Sequence, residues 1–120
     1  MREFDIYKRC EDFAVQIIQL IESIPYRRSV GIIGDQLMRA ASSVGANLCE
    51  ADNARSRKEF ISCVGISLKE IKESNFWLRI LSRTNTSHAK QISTAEKEAY
   101  EIKLILGKIY RKSQNPIAES

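Results

Sequence analysis

The fold is decided by residues 36–51, which read QLMRAASSVGANLCEA. Apolar or small side chains return every three or four residues at Leu37, Ala40, Val44, Leu48 and Ala51, the spacing of one face of an α-helix. A polar stripe lies directly beside this face and comprises Gln36, Arg39, Ser43, Asn47 and Glu50. These residues predict an amphipathic helix with a buried face and a polar flank.

The polar stripe has two interpretations. An ordinary solvated flank is the simpler one. The other is a hydrogen-bonded row at a seam between helices or subunits, because the small residues in 40–46 let a second backbone approach closely. An amide and a carboxylate held at such a seam need partners, since unpaired polar groups are costly to bury.

The same periodicity extends outward from this segment into three others. It predicts helices over about 5–24, 30–53, 57–83 and 88–112, followed by a frayed tail over 114–120. Pro25 ends the first helix, because proline lacks the amide donor. Ser56 and Glu59 form a capping box ahead of the third helix, and the polar run 84–87 separates the third from the fourth.

Four such helices bury their apolar stripes together as an antiparallel up-down four-helix bundle, so the predicted fold class is all-α. The 120 residues, 43% of them hydrophobic, suit one domain over 1–120 that buries its own core.

The sequence argues against several functional classes. It has no apolar run long enough to span a membrane and no apolar leader, and its three cysteines contain no CxxC pair. We therefore expect a reducing, cytoplasmic setting with buried thiols. The lone histidine, His88, has no partner in sequence, and no phosphate-cradling glycine motif occurs. We expect no catalytic, cofactor-binding or metal-binding residues, and no small-molecule substrate.

Basic residues cluster beside the two loops that flank the second helix. The formal net charge is +4, and the cluster comprises Arg27, Arg28, Arg55, Arg57 and Lys58. In an up-down bundle these loops lie at opposite ends and form two basic patches, one of which can be extended by Lys103, Lys108, Arg111 and Lys112 of the fourth helix. Solvated surface charge accounts for any one residue, but together they are candidates for holding phosphates.

The third helix ends in residues 76–81, FWLRIL, whose apolar side chains span an arc about twice the width that a bundle core requires. Trp77 either packs under the following loop or belongs to an exposed aromatic patch at a subunit interface. The candidate interface residues are Phe76, Trp77 and Ile80.

Residues 36–51 resemble the signature helix of the four-helix-bundle proteins encoded by intervening sequences in bacterial 23S ribosomal RNA genes. The segments 56–61 (SRKEFI), 66–70 (ISLKE) and 76–81 resemble the family's third helix in order and spacing. The resemblance covers about residues 5–112. Many members have glycine after the motif's glutamate, where this chain has Ala51, and this change leaves the helix intact past Glu50.

The resemblance implies a bundle that tends to assemble as a homopentamer, as do the similar accessory variability proteins of diversity-generating retroelements. Those relatives associate with a reverse transcriptase and with nucleic acid. We expect a non-enzymatic homo-oligomer that contacts RNA or a nucleoprotein partner. The alternative is a protein–protein adaptor with no nucleic-acid role.

Overall fold

The computed structural model describes residues 5–115, which form four long helices and no strand. The helices are α1 (Ile6–Ser23), α2 (Arg28–Asp52), α3 (Arg57–Thr84) and α4 (Ala89–Gln114). A single 3-10 turn, Thr86–His88, precedes α4. Each helix packs against its neighbours in sequence, α1 also packs against α4, and the backbones of the diagonal pairs lie farther apart. The chain is therefore an all-α four-helix bundle about 50 Å long, and the predicted fold class is confirmed.

Local hydrogen bonds set the helix starts. The Asp5 carboxylate accepts from the backbone N–H groups of Tyr7 and Lys8, at 3.0 and 3.1 Å, and begins α1 at Ile6. The Ser56 hydroxyl accepts from Glu59 N–H at 3.1 Å. The returning Glu59 carboxylate accepts from Arg55 N–H at 3.4 Å instead of closing the expected capping box on Ser56.

Three helices extend beyond their predicted bounds, α3 by the single residue Thr84. α2 begins at residue 28 and not at 30, so its helical hydrogen bonding includes both Gly31 and Gly34. It runs through Ala51 to Asp52 without a break. α4 continues to Gln114, because hydrogen bonding persists past the predicted end. The remainder of the predicted tail, 116–120, lies outside the described residues.

The core is one contiguous apolar cluster to which every helix contributes. Ala40, Ala41 and Val44 of α2 are fully or almost fully buried. Ser67 of α3 is also buried and donates to the Val44 carbonyl at 2.6 Å. The small residues of α2 therefore let α3 approach closely, and this helix pair forms the most extensive contact in the bundle.

The cysteines are not equivalent, contrary to the expectation that all three are buried. Cys10 is fully buried, and burial raises the pKa of its thiol to about 12. Cys63 is partly buried, while Cys49 is exposed because it lies on the outer side of α2, one residue beyond the core position Leu48.

No helix among the described residues combines the length and apolar character needed to cross a bilayer.

Candidate nucleic-acid interface

The loop between α1 and α2 carries Arg27 and Arg28, and the structure gives them different surroundings. The Arg27 guanidinium donates to the Thr84 carbonyl at 3.3 Å and to the side-chain oxygen of Asn85, a buried residue. Because Thr84 is the last residue of α3, Arg27 satisfies an open carbonyl at that helix terminus. Arg28 is exposed in the first turn of α2.

The opposite end of the bundle holds a larger basic group. Arg57 begins α3 and donates to the Ser113 carbonyl in the last turn of α4. This contact places the α2–α3 loop beside the end of α4. Exposed basic residues from both elements therefore share this end, namely Arg55, Lys58, Lys108, Arg111 and Lys112.

The outer face of α4 connects the two ends. Lys90, Lys97, Leu104 and Arg111 are spaced by seven residues, so they lie in one row, and Lys108 adjoins it. We call Lys90, Lys97, Lys108 and Arg111 the α4 basic row. All four are exposed, and the row is about 31 Å long at 1.5 Å per residue. The α4 basic row therefore runs between the two patches, which the loop residues alone leave separate.

Apolar groups interrupt the middle of the row. Tyr100 and Leu104 are each 52% exposed. The Lys103 ammonium group lies 4.6 Å from the centroid of the Tyr100 ring, a cation–π contact. An exposed aromatic ring among cations is typical of surfaces that contact nucleic acids through both phosphates and bases.

Arg9 of α1 pairs with acidic residues of α4. Its guanidinium donates to both Glu98 carboxylate oxygens at 2.7 Å and to Glu101 at 2.6 Å. Two of the three glutamates of α4 are thus engaged on the α1 side. Within residues 5–115, no member of the α4 basic row forms an ion pair, so its charge remains open to a polyanion.

Sequence reasoning missed Lys90, Lys97 and Tyr100 as site residues. The signal was present, because the seven-residue spacing of the row runs along the side of α4 opposite its core residues Ala95, Ala99 and Ile102. Basic and acidic residues are mixed over 90–100, and only the structure shows which of the acids are already paired.

The polar stripe of α2 divides into parts with different surroundings. Arg39 pairs with Glu70, at 3.3 Å, and with Glu73 across the α2–α3 contact. The remaining members do not bridge helices. Ser43 donates to the Arg39 carbonyl at 2.8 Å, and Asn47 donates to the Ser43 carbonyl at 2.8 Å. Gln36 and Glu50 are exposed. The stripe is a helix seam at Arg39, is partly buried at Ser43 and Asn47, and is a solvated flank only at Gln36 and Glu50.

The aromatic segment of α3 is only partly enclosed by the subunit. Leu78 and Leu81 are fully buried, Trp77 and Ile80 are partly buried, and Phe76 is 44% exposed. The Trp77 indole donates to the Glu73 carboxylate at 3.0 Å, and its ring meets Phe76 edge to face with centroids 4.9 Å apart. The Trp77 indole and Arg39 hold this carboxylate, and they lower its pKa. An apolar surface centred on Phe76 therefore remains open.

No cluster of three or more histidine, cysteine, aspartate or glutamate residues within 5–115 is arranged to hold a metal ion.

The fold and sequence have clear relatives. A crystal structure from Bacteroides thetaiotaomicron, of a protein with unknown function from the S23 ribosomal protein family, superposes with a TM-score of 0.81 at 31% sequence identity. The match covers 88% of this chain and 98% of that one. Among curated proteins, none matches the chain.

The family model described as 23S rRNA-intervening sequence protein matches residues 2–108. This range takes in α1, α2, α3 and most of α4, including the signature segment 36–51 and the aromatic segment 76–81. On that match, the chain belongs to the 23S rRNA-intervening sequence protein family.

Proposed function

We propose that the protein is a non-enzymatic, oligomeric helical bundle that holds RNA, free or within a nucleoprotein, along the outer face of α4. The α4 basic row carries this proposal. Four exposed cations lie along about 31 Å of rigid helix, and Arg9 engages the nearby Glu98 and Glu101 carboxylates. Such a row meets a run of phosphates without first having to break internal ion pairs.

The two end patches extend the proposed surface. Arg28 lies at one end, while Arg55, Lys58 and Lys112 lie at the other. Arg27 and Arg57 contribute less to phosphate binding, because their guanidinium groups already donate to protein oxygens.

The decisive experiment is a titration of labelled RNA of about 20 nucleotides at several salt concentrations. The variant combines Lys90→Gln, Lys97→Gln, Lys108→Gln and Arg111→Gln. Its matched control removes four exposed charges from α3 and combines Lys69→Gln, Lys72→Gln, Arg79→Gln and Arg83→Gln.

We expect the α4 variant to bind far more weakly, with a slope of log affinity against log salt that is smaller by about 3. The α3 control keeps most of the affinity, although the two variants carry the same net charge. Equal losses in the two variants would reduce the effect to net charge and overturn the proposed surface.

Oligomerisation is the second part of the proposal. Phe76 of α3 and Val15 and Ile18 of α1 are 40–47% exposed, and contact between subunits would remove this apolar surface from water. The proposed subunit number, five, comes from the family resemblance. Light scattering tests it directly, since a monomer of 13.7 kDa at micromolar concentration would contradict assembly.

The exposed edge of Phe76 favours one alternative, an adaptor that captures a partner helix without RNA. In that case Phe76→Ala abolishes partner co-purification, the α4 variant retains it, and nuclease treatment has no effect. The RNA proposal expects the opposite: the α4 variant and nuclease treatment abolish co-purification, and Phe76→Ala retains it.

A further inference from the structure

Tyr26, in the loop between α1 and α2, has an unusual position for an aromatic residue. It is 81% exposed, more than any other large apolar side chain in the described part of the chain. Its ring nevertheless lies against α2 at Gly31. A Cβ at position 31 would stand 2.8 Å from the Tyr26 Cε1 atom, so a side chain there would displace the ring from its present position.

The glycine at position 31 is unfavourable for the helix itself. Gly31 lies in the first turn of α2, and glycine is among the least favourable residues inside a helix. The ring therefore covers bare backbone at Gly31 while most of its surface faces solvent. An aromatic ring that lies against the helix at Gly31 and is otherwise exposed offers a face on which another planar group can stack.

The surroundings of Tyr26 select the kind of planar group. The ring borders an open cleft of about 690 Å³ whose apolar lining includes Val30 and Met38 and whose polar lining includes Glu22 and Asp35. Those carboxylates repel a phosphate but accept hydrogen bonds from exocyclic amines of a base. Arg28 is exposed two residues after Tyr26 and can meet the phosphate that the cleft rejects.

The cleft also lies at the end of the bundle where the α4 basic row begins. Arg27 reaches Thr84 and Asn85, so the loop that bears Tyr26 adjoins the turn leading into α4 and Lys90. A strand lying along the α4 basic row thus has a path over this end toward the ring.

We propose that Tyr26 is a stacking platform for an unpaired base of RNA, with Arg28 contacting the adjoining phosphate. This inference rests on the proposed function and makes it more specific, because a base inside a duplex has no free face for the ring. The protein should therefore distinguish a single strand, or the single-stranded end of a folded RNA, from a blunt duplex.

The test compares two labelled probes, an oligoadenylate of about ten nucleotides and a blunt RNA duplex of the same length. The variant is Tyr26→Ala. Tyr26→Phe keeps the ring, and Ile32→Ala removes another exposed apolar side chain, 55% exposed, from α2, the helix that follows Tyr26. Circular dichroism checks that each variant is folded.

We expect Tyr26→Ala to weaken oligoadenylate binding by roughly 5- to 100-fold, with an unchanged salt slope and unchanged duplex binding. Tyr26→Phe and Ile32→Ala should stay within about twofold of the parent protein. Equal oligoadenylate affinity of Tyr26→Ala and the parent would overturn the platform, as would an equal loss for Tyr26→Phe and Tyr26→Ala.

The outcomes separate this inference from the proposed function. If the α4 variant loses RNA affinity while Tyr26→Ala does not, the α4 surface stands and the platform fails. If the parent protein binds neither probe at low salt, both fail.

Discussion

Replacing Arg9 with glutamine is expected to loosen the weakest contact of the bundle. α1 and α4 make the least extensive of the four packed helix pairs, and Arg9 joins them through Glu98 and Glu101. The Arg9 and Glu98 side chains are 23% and 27% exposed, so the pair is neither buried nor freely solvated. Arg9→Gln leaves the Glu98 carboxylate half-enclosed without its charged donor.

The magnitude follows from that intermediate position. Exposed ion pairs contribute about 0–1 kcal/mol, while removing one partner of a buried pair costs about 3–5 kcal/mol. A bidentate, partly screened pair lies between these limits, so we expect the free energy of unfolding to fall by about 2 kcal/mol. For a chain of this size that corresponds to a Tm lower by about 8 °C.

Chemical denaturation of Arg9→Gln, Glu98→Gln and the double variant measures the coupling directly. Lys8→Gln is the matched control, because Lys8 is the preceding residue and pairs with Asp12 at 2.9 Å, but with both side chains more than 60% exposed. We expect no measurable change in the control. A coupling energy near zero between Arg9 and Glu98, or equal effects of Arg9→Gln and Lys8→Gln, would refute the reasoning.

Two further predictions concern α2 and its contact with α3. Gly34→Ala should lower Tm despite alanine's better helix propensity, because the new methyl group lies 2.9 Å from a branched isoleucine carbon of α1; a thermal melt showing stabilisation would contradict this close contact. The Trp77 indole, and after it Arg39, lower the pKa of Glu73 from its usual value of 4.5. This carboxylate therefore stabilises the fold at pH values above 4.5, and that contribution is lost as the pH falls through the lowered pKa. Trp77 fluorescence, from the protein's single tryptophan, should therefore report an acid transition that Glu73→Gln lacks, and an identical transition in both proteins would contradict the assignment.

Apolar periodicity was sufficient to predict the four helices, because burial of one stripe per helix dominates their energetics. It could not place polar side chains that act across helices. The capping box at Ser56 shows the limit, since the serine bond formed as predicted while the Glu59 carboxylate turned to Arg55. Such choices depend on the path of the chain before the helix.

The candidate site was harder to predict for a related reason. A sequence shows how many charges a helix carries, but not which are already neutralised from another helix. Arg9 lies 89 residues before Glu98, so no local pattern reveals that this carboxylate is engaged. For the same reason, the stripe of α2 could not be divided between Arg39, which reaches α3, and Asn47, which bonds its own helix.

The two arginines that donate to the final carbonyls of neighbouring helices make a simple charge scan misleading. Neutralising Arg27 or Arg57 removes a cation and also uncaps the last turn of α3 or α4. A loss of RNA affinity in either variant then mixes electrostatics with local unwinding. Arg28 and Lys58, their immediate neighbours in sequence, carry the same charge but do not cap a helix end. They are therefore the positions at which attraction to phosphate can be measured by itself.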